Sequence, residues 1–205
     1  MRPFPFVSGI VSVVVAPVKV RAAAGGAPSA LPPMPFAYYA KLSAARQRIY
    51  RKSDAIARLD LPAGVSVGAR VARIHEALSR DDRVAVQAAS QGLIDALVAG
   101  YAVPKIRVRV LAQRPADESG ELHGLYEPED EGEPAHITVW MRTAARRDVV
   151  AFKTFLRTLV HELCHHLDYE LFKLPETFHT EGFYKRESTL ANALFAQESA
   201  LGGPS

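Results

Sequence analysis

Apolar residues recur at helical spacing along most of the first half of the chain. Between residues 37 and 58 they lie on one side, with Arg and Lys on the other, which predicts an amphipathic helix. After a break at 61–64, the same spacing predicts a second helix over 67–78. It also predicts a third helix, which the Asp pair at 81–82 caps and Gly100 ends. We expect these helices to be packing elements.

The spacing changes to strict alternation in the second half. Residues 105–112 and 136–141 alternate apolar and polar side chains, as strands with one buried face do. The Gly- and Pro-rich stretch between them predicts a loop that includes a short strand at 122–126. Leucines at helical spacing over 149–172 then predict a long helix capped by Asp148. The expected fold is α+β, with N-terminal helices, a small mixed sheet, this long helix and a closing C-terminal helix.

Length and composition favour one folded domain. The chain has 205 residues, of which 48% are hydrophobic, and we assign its core to residues 36–200. Residues 1–35 are predicted to be poorly structured or signal-like, because an apolar run at 6–16 precedes a segment rich in Pro, Gly and Ala. Residues 201–205 are predicted to be a flexible tail. The apolar run is too short to span a bilayer, so we expect no membrane association and a cytoplasmic location, with secretion left open by the signal-like start.

Cysteine content and charge restrict the chemistry. Cys164 is the only cysteine, so an intramolecular disulfide and a Cys-rich zinc module are both excluded, and any metal must be held by His and carboxylates. Residues 1–114 hold 17 Lys and Arg against 6 Asp and Glu, whereas residues 115–205 hold 8 against 16. Such asymmetry can mark a nucleic-acid-binding face, but solvated helix surfaces give the same count, so we expect at most weak nucleic-acid association.

The long predicted helix contains the run HELCHHLDYE at residues 161–170. His161 and His165 are one helical turn apart, so both imidazoles can reach a single ion. Glu162 is offset by about 100° and can approach a water molecule at that ion without being a ligand. This is the HExxH arrangement, in which two His bind zinc and the Glu is a general base. His166 is expected on the solvent side of the helix or in support of a ligand.

A zinc hydrolase site needs a third protein ligand, and two residues downstream are candidates. His179 lies at the mouth of the next predicted helix, and Glu187 lies on the apolar side of that helix, where an unpaired carboxylate is costly. The first would complete a three-histidine site and the second a site of two His and one Glu. Asp168 and Glu187 are also the carboxylates expected to orient the ligating imidazoles.

The motif HELCH, followed by His179 in an H-x-x-x-F pattern that ends at Phe183, resembles the SprT-like zinc metallopeptidases, including the Spartan type. The resemblance covers roughly residues 137–195. It implies a zincin-like fold, a Zn²⁺ cofactor held by His161, His165 and His179, and Glu162 as the catalytic residue. The chain is also similar to short uncharacterised bacterial zincin-like proteins that share its IYRKSD and HTEGF segments.

Two features depart from the SprT-like pattern. Thr180 stands where that family has Gly after the third histidine, and no Cys-rich zinc ribbon follows the motif. The turn after His179 and the accessory modules of the family are therefore not implied for this chain.

The predicted function is zinc-dependent hydrolysis of a peptide or protein substrate. Tyr169, Tyr184 and Arg186 are candidate donors to the substrate carbonyl oxygen. Strand 136–141 is expected to lie along the cleft with a free edge for an extended peptide. Two alternatives stay open: a nucleic-acid-associated protein with a structural metal, and a catalytically silent zincin fold that binds a partner.

Overall fold

The computed structural model describes residues 11–13, 36–117, 120–130 and 132–200. Most of the predicted signal-like segment, residues 1–10 and 14–35, lies outside this described part, as does the predicted tail at 201–205. The predictions made for those segments therefore stay predictions.

The first half of the described chain is helical. A 3₁₀ helix at Ala37–Lys41 is followed by three α-helices: α1 (Ala44–Asp54), α2 (Gly68–Ser79) and α3 (Arg83–Gly100). Asp82 caps α3, as predicted, because its side chain accepts the Ala85 N–H at 3.0 Å.

The single helix predicted for residues 37–58 is wrong. Ser43 has extended backbone (φ −61°, ψ 158°), and its hydroxyl accepts the Arg46 N–H at 3.3 Å. A serine at this position satisfies a free N–H at the start of α1, so the chain turns here instead of continuing helically. The apolar spacing of the region does not reveal this break, because it runs on across both helical pieces.

Most of the sheet comes from the second half of the chain, and one strand comes from residues 11–13. The strands are β1 (Val11–Val13), β2 (Arg107–Gln113), β3 (Ala116–Asp117), β4 (Gly120–Glu121), β5 (Gly124–Glu127) and β6 (His136–Arg142). The main sheet has the order β1-β5-β6-β2, in which β6 is parallel to β2 and antiparallel to β5. Strands β3 and β4 form a separate antiparallel pair. The predicted α+β class and mixed sheet are confirmed at this level.

Strand β6 does not offer a free edge, so the predicted peptide-docking edge at 136–141 is wrong. One side of β6 pairs with β2 and the other with β5, and the strand is buried at five consecutive positions. A strand paired on both sides and covered on both faces belongs to the centre of a sheet. The outer edge of β5 pairs with β1.

Two long helices complete the fold: α4 (Phe152–Glu170) and α5 (Glu181–Ser199). Helix α4 packs against α5, β5 and β6, and α5 also packs against α1 and α2. The core between these elements includes Leu156, Leu159, Leu163, Leu190 and Leu194, all fully buried. Burying each such side chain contributes about 1.5–3 kcal/mol. None of the described helices combines the length and apolar character needed to cross a bilayer.

The predicted cap of α4 by Asp148 is wrong, because the helix begins later. Its N-cap is Ala151, which makes no side-chain hydrogen bond. Residues 148–150 instead continue beside the end of β6, where the Val150 N–H donates to the Met141 carbonyl at 2.8 Å and Val149 forms a bridge with Arg142.

Candidate metal centre

His161 and His165 lie one turn apart in α4, on a part of the helix that is fully enclosed. Their side chains are buried, and their Nε2 atoms are 3.2 Å apart. Helix α5 and the segment before it cover this part of α4, so neither histidine faces solvent.

His179 comes from the segment between α4 and α5. Thr180 caps α5 by accepting the Phe183 N–H at 2.9 Å, and the Tyr38 hydroxyl donates to the His179 carbonyl at 3.0 Å. Held in this way, the Nε2 atom of His179 lies 3.1 Å from the Nε2 atoms of both His161 and His165. The structure thus brings together the three histidines that the SprT-like resemblance implies.

The spacing of the three Nε2 atoms suits a metal ion. In a tetrahedral site with metal–nitrogen bonds near 2.0–2.1 Å, ligand nitrogens are about 3.3 Å apart, close to the 3.1–3.2 Å observed. Nitrogen atoms that converge this closely can direct their lone pairs at one point. The group could hold a metal ion.

Glu187 supports His161 and does not complete the triad. Its Oε2 atom lies 2.8 Å from the Nδ1 atom of His161, on the side of the ring that faces away from the other histidines. A carboxylate there accepts the Nδ1–H, which leaves Nε2 unprotonated and directed at the ion position. Glu187 therefore lies where a carboxylate can orient the His161 ring, and His179 is the residue whose nitrogen lies with those of His161 and His165.

Asp168 supports His165 indirectly, through Thr177. The Nδ1 atom of His165 lies 2.8 Å from the Thr177 hydroxyl, which donates to Asp168 at 2.7 Å. Asp168 also accepts two hydrogen bonds, at 2.6 and 2.8 Å, from fully buried Arg186. Sequence analysis missed Thr177, because a threonine in a loop carries no spacing that points to a histidine twelve positions earlier.

Glu162 follows His161 in α4 and is almost completely buried, with 1% of its surface exposed. Neither carboxylate oxygen has a hydrogen-bond partner in the part of the chain that the structure describes. Burial, followed by the nearby Glu187 carboxylate, raises the pKa of Glu162 well above its ordinary value. A buried carboxylate without a partner is costly, so this residue is suited to a partner from outside the chain, such as a water molecule.

The backbone of strand β5 lies directly against the side chain of Glu162. A Cβ atom at Gly124, the first residue of the strand, would lie 2.2 Å from Oε1 of Glu162. Only glycine leaves room for this carboxylate. Gly124 is a second site residue that the sequence did not identify, since loop glycines are common and the approach depends on how the sheet packs on α4.

Burial also keeps two of the imidazoles uncharged. Burial, with the neighbouring imidazoles, lowers the pKa of His165 well below its ordinary value. Burial, and then His161, lowers the pKa of His179 to about 3. Both side chains are therefore neutral near pH 7, the form in which imidazole binds a metal.

One of the two predictions for His166 placed it on the solvent side of α4, and that prediction is wrong. The side chain is buried, with Nε2 at 2.9 Å from the Pro104 carbonyl oxygen and Nδ1 at 3.3 Å from the Tyr126 hydroxyl. These contacts join α4 to β5 and to the loop that precedes β2.

The three predicted carbonyl-oxygen donors differ in their surroundings. Arg186 is committed to Asp168 and to α1, so it is not available. The ring of Tyr169 stacks at 6.0 Å on Tyr126. Tyr184 has its ring stacked at 5.8 Å on His179, which leaves it as the donor candidate next to the ligands.

Several arginines of the basic first half have acidic partners within the chain. Arg46 pairs with Glu176 and Arg58 with Asp60, each at 2.6 Å, while Arg80 pairs with Glu76 at the same distance. These contacts neutralise part of the basic surface that a nucleic acid would bind. They do not test the nucleic-acid alternative, which stays a prediction.

Comparison with known proteins gives no match: no family model, no curated protein and no solved structure is significantly similar to this chain.

Proposed function

We propose that this chain is a zinc-dependent metallopeptidase of the SprT-like type, which hydrolyses peptide bonds in a peptide or protein substrate. The observation that carries the proposal is the convergence of three Nε2 atoms, together with a buried carboxylate without a described partner at the residue after His161. A purely structural zinc site would be closed by four protein ligands. The described residues supply three, together with an acid–base group.

The residues divide the chemistry between them. His161, His165 and His179 would hold the ion, which when bound supplies Lewis-acid polarisation of the substrate carbonyl and lowers the pKa of a water molecule to about 7. Glu162 takes the proton of the attacking water and later delivers it to the leaving amine. Its raised pKa suits the first step, because a carboxylate with a raised pKa accepts a proton more readily than an ordinary one.

Tyr184 is the proposed donor to the carbonyl oxygen. Its ring lies against His179 and 6.3 Å from the ring of His161, which places this tyrosine at the edge of the histidine cluster. Charge that develops on the oxygen is stabilised by a donor held in place before the reaction. The Tyr184→Phe variant should lower kcat while leaving zinc binding unchanged.

The test is Glu162→Gln in the zinc-loaded protein, assayed on an unfolded protein substrate. We expect the variant to bind zinc as the wild type does and to lose activity by about 10²–10⁴-fold, the usual contribution of a general base. Glu170→Gln is the matched control, because Glu170 lies on the same helix and pairs with exposed Lys173. Unchanged cleavage by Glu162→Gln would overturn the catalytic proposal. A zinc-binding wild type that cleaves no peptide would favour the silent zincin alternative.

A further inference from the structure

The two histidines of α4 are supported by different chemistry. His161 has a carboxylate directly behind it, at 2.8 Å in Glu187. His165 has a neutral hydroxyl at the same distance, in Thr177, and the carboxylate of Asp168 comes only after it. A hydroxyl that contacts an imidazole can act as donor or acceptor, so its role has to be derived from its other contact.

The single proton of the Thr177 hydroxyl is committed to Asp168. The Oγ1–Oδ2 distance is 2.7 Å, and a carboxylate at that oxygen can only accept. Thr177 must then accept the Nδ1–H of His165. The consequence is that Nε2 of His165 is unprotonated and points at the ion position, the same form that Glu187 imposes on His161.

The Asp168 carboxylate is in turn fixed by Arg186. Both residues are fully buried, and Nη2 of Arg186 reaches both carboxylate oxygens. Arg186 also donates from Nη1 to the carbonyls of Ser53 and Ile56, each at 3.0 Å. These contacts anchor it to the last turn of α1 and the residues just after it. Because a guanidinium is always charged, it holds Asp168 as an acceptor for Thr177.

We propose that Thr177 is a positioning residue for the metal ligand His165. It sets the tautomer and orientation of that imidazole, because its own hydroxyl proton is donated to Asp168, which Arg186 holds in place. This inference rests on the metal site of the proposed function but not on peptidase activity. Thr177 itself touches neither the ion position nor the reacting groups. Partners behind a metal ligand typically change metal affinity by 10–100-fold when removed.

The test measures zinc affinity of the full chain by competition with a chromophoric chelator. Thr177→Val keeps the shape of the side chain but removes the hydroxyl, and we expect it to weaken zinc binding by about 10–100-fold. Thr177→Ser restores the hydroxyl and should bind within about threefold of the wild type. The control is Thr189→Val, which should leave affinity unchanged, at a helix threonine whose hydroxyl donates to the Lys185 carbonyl of its own helix.

A second measurement keeps the inference testable if Thr177→Val is poorly folded. In the metal-free wild type and in Thr177→Ser, imidazole ¹⁵N shifts should show His165 with its proton on Nδ1. In Thr177→Val, where a folded fraction is obtained, the two tautomers should mix. Wild-type affinity in Thr177→Val, or an affinity in Thr177→Ser as weak as in the valine variant, would overturn the inference.

The outcome separates this inference from the proposed function. A wild type that binds zinc without cleaving peptides leaves the role of Thr177 intact and overturns only the peptidase. A wild type that cleaves, with a Thr177→Val variant that binds zinc normally, overturns only the positioning role. Absence of zinc binding by the wild type would overturn both.

Discussion

Two buried carboxylates lie on α4, Glu162 and Asp168, and their surroundings are opposite. Asp168 is fully buried, and its oxygens accept hydrogen bonds from Arg186 and Thr177. Glu162 is equally enclosed, and no described residue donates to it. Burial raises the pKa of both, but the guanidinium opposes this only at Asp168.

The difference distinguishes a carboxylate that stabilises the fold from one that is suited to catalysis. A paired buried charge stabilises the fold as long as both partners are present, and its loss leaves the other charge stranded. An unpaired one lowers stability and is tolerated where it does chemistry. The following predictions test whether the two carboxylates behave as differently as their surroundings indicate.

The largest expected effect is the loss of Asp168. Asp168→Asn removes the charge opposite Arg186, and we expect unfolding to become easier by about 3–5 kcal/mol, because a buried guanidinium then lacks compensation. Urea denaturation of the metal-free protein measures this. Asp95→Asn is the control, since exposed Asp95 accepts a hydrogen bond from the side chain of Gln91 and should change stability by less than about 0.5 kcal/mol. Equal effects of the two variants would contradict the assignment of Asp168.

An intermediate effect is expected where β5 meets Glu162. Gly124→Ala places a methyl group against the carboxylate, so either the strand or Glu162 must shift, at a cost of about 1–3 kcal/mol. Hydrolysis should also fall, because the base is displaced. Gly92→Ala is the matched control: no atom lies within 4 Å of the added carbon, and alanine in the middle of α3 should stabilise by about 0.5–1 kcal/mol. Full activity in Gly124→Ala would show that Glu162 has more freedom than the structure allows.

A smaller effect of opposite sign is expected for Glu162 itself. Glu162→Gln removes an uncompensated charge, and we expect the metal-free protein to gain about 1–2 kcal/mol at pH 7.5. The gain depends on pH. Because the pKa of Glu162 is raised in the folded protein, its stabilising contribution is complete below the unfolded pKa of 4.5 and is lost as pH rises through the folded value.

The advantage of Glu162→Gln should therefore be present at pH 7.5 and disappear near pH 4.5. Thermal unfolding of both proteins across this range measures the difference. A variant that is less stable than the wild type at pH 7.5 would mean that Glu162 has a stabilising partner, as Asp168 does.

The part of the site that lies within one helix was predictable from the sequence. The spacing of His161, Glu162 and His165 follows from the helical repeat alone. The sequence did not decide between His179 and Glu187 as the third ligand, because the choice depends on how the chain enters α5. Thr180 caps that helix, and Tyr38 donates a hydrogen bond to the His179 carbonyl.

Residues that act across elements were not predictable. Thr177 matters because a loop places its hydroxyl between two residues of α4, and Gly124 because β5 crosses the same helix. The central position of β6 depends on strand order, which alternation within one strand does not encode. The predicted starts of two helices were wrong for the same reason. Helix α1 begins where the Ser43 side chain caps it, and α4 begins only after Val149 has paired with Arg142 of β6.

Metal binding by the wild type, His179→Ala and Glu187→Ala, measured by equilibrium dialysis against zinc and metal analysis, tests the central claim most directly. We predict one zinc per wild-type chain, loss of that zinc in His179→Ala, and retention with weakened affinity in Glu187→Ala. Zinc retained by His179→Ala and lost by Glu187→Ala would transfer the ligand role to the carboxylate. A wild type that binds no zinc would contradict the account altogether.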